Sequence, residues 1–292
     1  MNKDIYTIEK RKFMIYEKEI HDEERAFYGK KDAIIKNCQI DGPADGESAF
    51  KECQNIRVEE TFLNLRYPFW HDSSVIIKNC EMTENCRAAL WYSKDIEIEN
   101  SKMHGIKALR ECQNIKLKNT EIRSPEFAWR SQTIKVEDVT LEGEYPFFEC
   151  KDMELDGLCM KGKYSFQYIE NAVFKNCILD TKDAFWHAKN ITVEDSIVKG
   201  EYLAWYAENI RFVRCKISGT QPFCYVKGLV LEDCEMEGCD LAFERSEVQA
   251  SVKGHIDSVK NPISGRITAD SIGEIVLEED IINPRNCVIT TK

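Results

Sequence analysis

Apolar and polar residues alternate along this chain in short segments that recur at a fixed interval. The segment follows the pattern apolar–x–apolar–x–x–small–x–apolar, as in IEIENSKM from Ile96 and IKLKNTEI from Ile115. Copies begin nineteen residues apart at positions 96, 115, 134, 153, 172, 191, 210 and 229. Alternation with a period of two is typical of a β-strand, and a repeat of this length indicates a solenoid.

Each repeat predicts one coil made of three short strands and three turns. The first and third residues of the segment point inward, and so do the small residue and the apolar residue that closes it. We therefore predict an all-β, single-stranded, right-handed parallel β-helix of roughly eleven to thirteen coils. A leucine-rich repeat needs a Leu-x-x-Leu-x-Leu line, and a left-handed β-helix needs a hexapeptide period, and neither pattern is present.

The repeat also predicts the domain organisation, which is one β-helix domain over residues 1–292. Residues 1–32 form an N-terminal cap, residues 33–250 the regular coils, and residues 251–292 the closing coils with a C-terminal cap. Glycine often follows the second strand, where we expect tight corners that need a positive φ. These glycines are Gly42, Gly105, Gly143, Gly162, Gly200, Gly219 and Gly238.

The thirteen cysteines have a simple interpretation within this repeat. The small inward position holds Cys38, Cys80, Cys177, Cys215 and Cys234, where other coils have Ser, Thr, Val or Leu. A second inward column holds Cys53, Cys112 and Cys150. Cysteine packed as a small apolar residue explains these columns better than a disulfide or metal framework. Cys215 and Cys234, one coil apart, are the pair close enough for a disulfide.

The third strand carries aromatic residues that align from coil to coil, and it is the predicted functional face. An apolar column rich in phenylalanine is followed by a column that contains all five tryptophans, and then by a column of polar and aromatic residues. Polar members such as Arg110 and Gln167 favour exposure of the tryptophan column, although either column could be the buried one. The candidate substrate-binding residues are Trp70, Trp91, Tyr92, Trp129, Trp186, His187, Trp205 and Tyr206.

Two classes of function fit such a face. A line of rings beside polar groups suits sugar binding, which predicts an oligo- or polysaccharide ligand. If the protein is an enzyme, the candidate acid and base are Glu111 and Glu149, with Arg130 between them and Arg110 nearby to position an acidic sugar. A surface Glu–Arg–Glu ladder has the same sequence pattern. The alternative is therefore a non-catalytic scaffold that binds a protein partner or forms a homo-oligomer, with rings that only stabilise the stack.

Charge and motifs exclude several other classes of function. The formal net charge of −11 disfavours nucleic acid, which is a polyanion. No run of eighteen apolar residues predicts a membrane span, and the charged N-terminal residues do not resemble a signal peptide, so we expect a cytoplasmic protein. Motifs for a metal site, a P-loop or a dinucleotide are absent, and we expect neither a metal nor a cofactor.

Several stretches of the chain are similar to a known family. They include DGPADGESAFKE (41–52), NLRYPFWH (64–71), SPEFAW (124–129), TKDAFWHAKN (181–190) and VKNPISG (259–265). They resemble an uncharacterised bacterial family of right-handed β-helix proteins with a pectin-lyase-like fold. The resemblance covers almost the whole chain and implies the same fold. The family has no agreed activity, so the resemblance transfers no catalytic residue, although the wider superfamily favours a carbohydrate ligand.

Overall fold

The computed structural model describes residues 13–42, 47–278 and 286–292 of the chain. Within these ranges the chain forms β-strands and turns, without a helix. Successive coils stack so that strands one coil apart pair in parallel, and each coil has three sides. The predicted all-β parallel β-helix is confirmed.

The first side of every coil is a β-strand, and the strands stack in register. Ile96 lies beside Ile115, which lies beside Ile134, so the nineteen-residue period sets the pairing. The first-side strands are Met14–Glu17, Lys31–Lys36, Gln54–Glu59, Ser73–Lys78, Lys94–Glu99, Gln113–Lys118, Gln132–Glu137, Lys151–Asp156, Glu170–Lys175, Lys189–Glu194, Glu208–Val213, Lys227–Met236, Glu247–Lys253, Ser264–Ala269 and Asn286–Thr291.

The coils begin earlier in the chain than the sequence predicted. Met14–Glu17 pairs with the strand that contains Ala33, so residues 14–32 form a coil where a cap was expected, and residues 1–12 lie outside the described ranges. Glu19 and His21 occupy the positions that are small and apolar in other coils, which hid this coil in the sequence. Fifteen first-side strands make about fourteen turns, slightly more than the eleven to thirteen predicted.

Short strands form the second side. Met82, Met103 and Ile122 are typical of its inward residues, and all three are buried. The second-side strands are Ile20–His21, Gln39–Ile40, Phe62–Leu63, Glu81–Met82, Lys102–Met103, Glu121–Arg123, Thr140–Glu144, Cys159–Lys163, Ile178–Lys182, Ile197–Lys199 and Lys216–Ser218. Near the C-terminal end, His255–Lys260 and Ser271–Val276 pair with each other.

The third side is an extended strand in three coils alone among the described residues, at Phe69–Trp70, Leu90–Trp91 and Leu109–Arg110. In later coils every second residue has a left-handed backbone, for example Tyr164, Phe166 and Tyr168, with φ of 58°, 59° and 57°. The prediction of a regular third strand is therefore wrong for these coils. Left-handed backbone costs about 1–2 kcal/mol per non-glycine residue, so the packed stack has to impose it.

The core is a continuous column of apolar side chains enclosed by the three sides. Phe147, Phe166 and Phe185 are fully buried and stack with ring centroids 5.3 and 5.1 Å apart. All thirteen cysteines are free, which confirms that the buried ones act as small core residues. Cys215 and Cys234 form no disulfide, and their thiols donate to the carbonyls of residues 193 and 212.

Glycine recurs at the corner after the second side because the preceding coil lies close to it, as well as because some of these positions have a positive φ. Gly200 and Gly219 do have positive φ, at 146° and 132°. Gly143 and Gly162 do not, but a Cβ on Gly162 would lie 2.0 Å from the carbonyl oxygen of Gly143 one coil earlier. A side chain at Gly162 would therefore require the backbone to shift, whereas Ser124 and Thr181 show that other coils accommodate a small side chain at the same corner.

Candidate functional site

Side chains of the third side alternate between the core and the outer surface, which orients the two aromatic columns. The phenylalanine column points inward, and Phe166 has no exposed surface. The tryptophan column points outward and is half-buried, as the sequence favoured. We call the outer surface of this side the aromatic face. Its tryptophan column and the column beside it contain Trp70, Trp91, Trp129, Trp186, Trp205, His71, Tyr92, Tyr168, His187, Tyr206 and Tyr225.

The tryptophan rings lie mostly face to face along the axis of the solenoid. Trp70 and Trp91 have centroids 5.9 Å apart, and Trp186 and Trp205 are 5.5 Å apart and nearly parallel at 5°. Arg110 lies over Trp91 and Trp129, at 5.7 and 5.0 Å. Neighbouring coils therefore cover many of the ring faces, and a ligand in the solvent meets mainly ring edges.

The neighbouring column forms a second ladder that is more exposed. Tyr168, His187, Tyr206 and Tyr225 stack with successive centroid distances of 4.9, 5.1 and 4.8 Å. Tyr168 and Tyr206 are 45% and 43% exposed, so their hydroxyl groups reach water. His187 and His71 belong to separate stretches of this column and do not meet. The ladder presents one polar ring edge per coil at a constant spacing.

Hydrogen bonds to the backbone hold three of the five indole rings. The N–H groups of Trp129, Trp186 and Trp205 donate to carbonyl oxygens of the next coil at 2.7, 2.7 and 2.8 Å. The acceptors are Tyr145, Tyr202 and Gln221, which are left-handed residues of the third side. These three indole rings are thus anchored to the backbone of the next coil.

The predicted catalytic group forms an ion-pair ladder. Arg130 Nε donates to Glu149 at 2.7 Å, and Arg130 Nη1 lies 3.6 Å from Glu111. Arg110, which was expected to position an acidic sugar, lies 3.7 Å from Glu126 and over two indole rings. The structure therefore brings these residues together as predicted, but one guanidinium lies between the two carboxylates and contacts both of them.

Asp72, a buried residue at the end of the third side, has the carboxyl whose pKa is shifted furthest among the described residues, and it was not among the predicted site residues. Its side chain is 1% exposed, and its Oδ1 accepts a hydrogen bond from the backbone N–H of Cys53 at 2.6 Å. Burial raises the pKa of Asp72 from its ordinary value to about 8. An aspartate in a column whose neighbouring members are Cys53, Ser93 and Cys112 was the available signal.

A depression of about 610 Å³ lies elsewhere, on the outer surface of the first side. Charged residues such as Lys135 and Glu154 line it, and these two form an ion pair at 3.0 Å. Glu97 and Glu99 at its edge both contact Lys78. Because its charged groups contact one another, this surface offers a ligand few free polar partners, and we place the candidate site on the aromatic face instead.

In the part of the chain that the structure describes, no three His, Cys, Asp or Glu side chains are arranged to hold a metal ion. Over the same residues no helix is long and apolar enough to cross a membrane.

These features define the molecule as a parallel β-helix with one aromatic side. The sequence matches the family described as "Protein of unknown function (DUF3737)" over residues 14–290, and the chain belongs to that family. The resemblance found in the sequence is thereby confirmed. No curated protein matches the chain.

Some solved structures are loosely similar to this one. PfbA, a surface adhesin of Streptococcus pneumoniae, is 10% identical with a TM-score of 0.40, over 87% of this chain and 72% of the adhesin. The A-module of the mannuronan C-5 epimerase AlgE4 from Azotobacter vinelandii is 8% identical with a TM-score of 0.33, over 96% and 90%. The catalytic domain of a GH87 α-1,3-glucanase is 8% identical with a TM-score of 0.31, over 95% and 63%.

Proposed function

We propose that the protein binds an uncharged oligo- or polysaccharide along the aromatic face. The observation that carries this proposal is the ladder of exposed ring edges, with Tyr168, His187, Tyr206 and Tyr225 spaced 4.8–5.1 Å apart. Each ring offers an apolar edge and a polar atom, which is the combination that sugar recognition requires. An extended polymer with a regular repeat can contact several such rungs at once.

Paired charges on the face favour an uncharged ligand. Lys107 lies 3.3 Å from Glu126, and at the edge of the face Lys182, the last residue of a second-side strand, donates to Glu201 at 2.9 Å. Arg130 contacts two carboxylates of its own column. A polyuronate would have to displace these partners and approach a chain with a net charge of −11. A neutral glycan meets neither obstacle.

The same pairing favours binding over hydrolysis. A glycosidase needs one carboxyl that is protonated and a second that is free to act as base or nucleophile. Glu111 and Glu149 both contact the Arg130 guanidinium, so neither carboxylate is free of a partner on the face. The three side chains therefore form a surface ion-pair ladder between neighbouring coils.

We expect the Glu111→Gln and Arg130→Ala variants to fold normally and to leave every glycan product profile unchanged. The pairs are solvent-exposed, and such pairs contribute little to stability. Wild-type protein and the two variants should be incubated with neutral and acidic polysaccharides, and the products separated by chromatography. Cleavage that is present in the wild type and lost in Glu111→Gln would contradict this expectation.

Intrinsic fluorescence provides the test of binding, because all five tryptophans lie on the aromatic face. Titration with a neutral oligosaccharide series should change the emission, with affinity increasing as the chain lengthens over more rungs. Uronate oligosaccharides of the same length and linkage should cause a smaller change. The absence of a response to every neutral sugar, or a stronger response to the uronates, would refute the proposal.

A further inference from the structure

Unsatisfied polar atoms are concentrated at one place in this molecule. Among the described residues, three buried side-chain polar atoms have no hydrogen-bond partner: Nε1 of Trp70, Nε1 of Trp91 and Oδ2 of Asp72. All three belong to two adjacent coils. A buried donor without an acceptor costs about 1–3 kcal/mol, so such groups are rare in folded proteins. Their clustering on the third side calls for a physical explanation.

The other tryptophans of the same column provide the comparison. Trp129, Trp186 and Trp205 all donate to a backbone carbonyl one coil away. Trp70 and Trp91 lie in short strands, so the inward residue before each has an extended backbone. The residues before the other three tryptophans are left-handed, namely Ala128, Phe185 and Ala204. The same residue type in the same column is therefore satisfied in three coils and unsatisfied in two.

Ring orientation also separates this pair from the rest of the column. Trp70 and His71 lie side by side with their planes 12° apart, and Trp91 and Tyr92 lie 16° apart. By contrast, the planes of Trp205 and Tyr206 are 78° apart. The rings of Trp70, His71, Trp91 and Tyr92 thus form a nearly parallel array. Lys51 lies over Trp70 at 4.9 Å, and Arg110 lies over Trp91 at 5.7 Å.

We propose that Trp70 and Trp91 form the principal subsite of the aromatic face, where their indole N–H groups donate to hydroxyl oxygens of a bound neutral sugar. This inference rests on the proposed function and assigns it to one end of the face. Ring rotation toward a ligand breaks no hydrogen bond at Trp70 or Trp91. The same rotation would break one at each of the other three tryptophans.

The ligand hydroxyl would supply an acceptor that the free protein lacks. Binding then removes the cost of an unsatisfied donor and adds a hydrogen bond, so the gain per contact is largest at this pair. Lys51 and Arg110 sit on long flexible stems above and below the two indoles, and they can move aside without unfolding a coil.

Matched tryptophan-to-phenylalanine variants test the subsite. Phenylalanine keeps a ring and removes the N–H, so Trp70→Phe and Trp91→Phe should each weaken binding of the neutral oligosaccharide about 10-fold in calorimetry. Trp186→Phe and Trp205→Phe are the controls: they keep the ring and lose an N–H that already donates to a backbone carbonyl, so they should weaken binding by a smaller factor than the first pair. In thermal unfolding we expect the opposite order. The control variants should have the lower unfolding midpoints, because only they lose a hydrogen bond of the free protein.

The outcomes separate the two proposals. If the wild type binds and all four variants weaken binding equally, or the controls weaken it more, the subsite assignment is wrong and the proposed function stands. If the wild type binds no neutral sugar, the proposed function fails and the subsite fails with it. Unfolding midpoints that fall as much in Trp70→Phe and Trp91→Phe as in the controls would also count against the assignment.

Discussion

Replacing Asp72 with serine should stabilise the protein, and the gain should be about 4 kcal/mol larger at pH 8 than at pH 5. The Asp72 side chain is buried, and burial raises its pKa from the ordinary 3.8 to about 8. The folded protein therefore binds this proton more tightly than the unfolded chain does. The contribution of Asp72 to the free energy of unfolding is therefore most favourable below about pH 4. It becomes less favourable as the pH rises from about 4 to about 8.

Serine is the matched replacement because the same column already uses it. The Ser93 hydroxyl accepts a hydrogen bond from the backbone N–H of Asp72 at 3.1 Å, and Ser131 does the same for Cys112. A serine at position 72 can therefore still accept from the N–H of Cys53. The free energy of unfolding should be measured in urea at several pH values between 5 and 8.

The reverse substitution is the control for the Asp72 prediction. Ser131 is also fully buried, so Ser131→Asp should destabilise the protein with the same dependence on pH. A pH profile of Asp72→Ser that runs parallel to that of the wild type would show that Asp72 does not titrate with a raised pKa. Glu52 is the charged neighbour that raises the pKa further, and it is left in place in both variants.

Replacing Phe166 with alanine should destabilise the protein by about 3–5 kcal/mol. Its ring is fully buried between Phe147 and Phe185, at centroid distances of 5.3 and 5.1 Å. Removing it leaves a cavity in a stack whose backbone is held by the coils on both sides. Ala204 has the same left-handed backbone in the same column, so alanine adds no strain of its own.

Tyr168→Ala is the control two residues away, on the outer ladder. Its ring contacts His187 at 4.9 Å but is 45% exposed, so we expect a loss of about 1 kcal/mol. Urea unfolding of both variants measures the difference. Equal losses would mean that the outer rings serve chiefly to hold the stack together, which is the function expected of a ladder without a ligand.

The sequence was sufficient to predict the stack itself. An exact period determines which residues lie side by side. The pairing of Ile96 with Ile115 and the burial of cysteines such as Cys177 could therefore be deduced from the sequence alone. The irregular ends could not be deduced in the same way. The coil that starts at Met14 carries Glu19 and His21 where the repeat expects small and apolar residues.

The backbone conformation of the third side could not be predicted from the pattern of apolar and polar residues. Left-handed conformations are associated with glycine and asparagine, whereas here Phe147, Phe166 and Phe185 adopt them. The stacking of whole coils imposes this conformation, and the sequence of a single repeat does not indicate it. For the same reason the sequence located the tryptophans but could not tell which indole N–H groups have acceptors.

The candidate site residues also differ in how far the sequence could predict them. Alignment of the columns brought Glu111, Arg130 and Glu149 together correctly, because the column of a residue depends only on its position in the repeat. The burial of Asp72 follows from the same alignment, because it stands between Cys53 and Ser93 in an inward column. An acidic residue in a column of cysteine and serine was the visible sign of it.

The register of the coils has a consequence for how such a protein can change over time. Nineteen residues act as a unit of length, because removing or duplicating one unit in the regular region leaves every other residue in its column. The number of rungs on the aromatic face can therefore vary without altering the chemistry of any rung. Selection for ligand size and selection for ligand identity can then proceed independently.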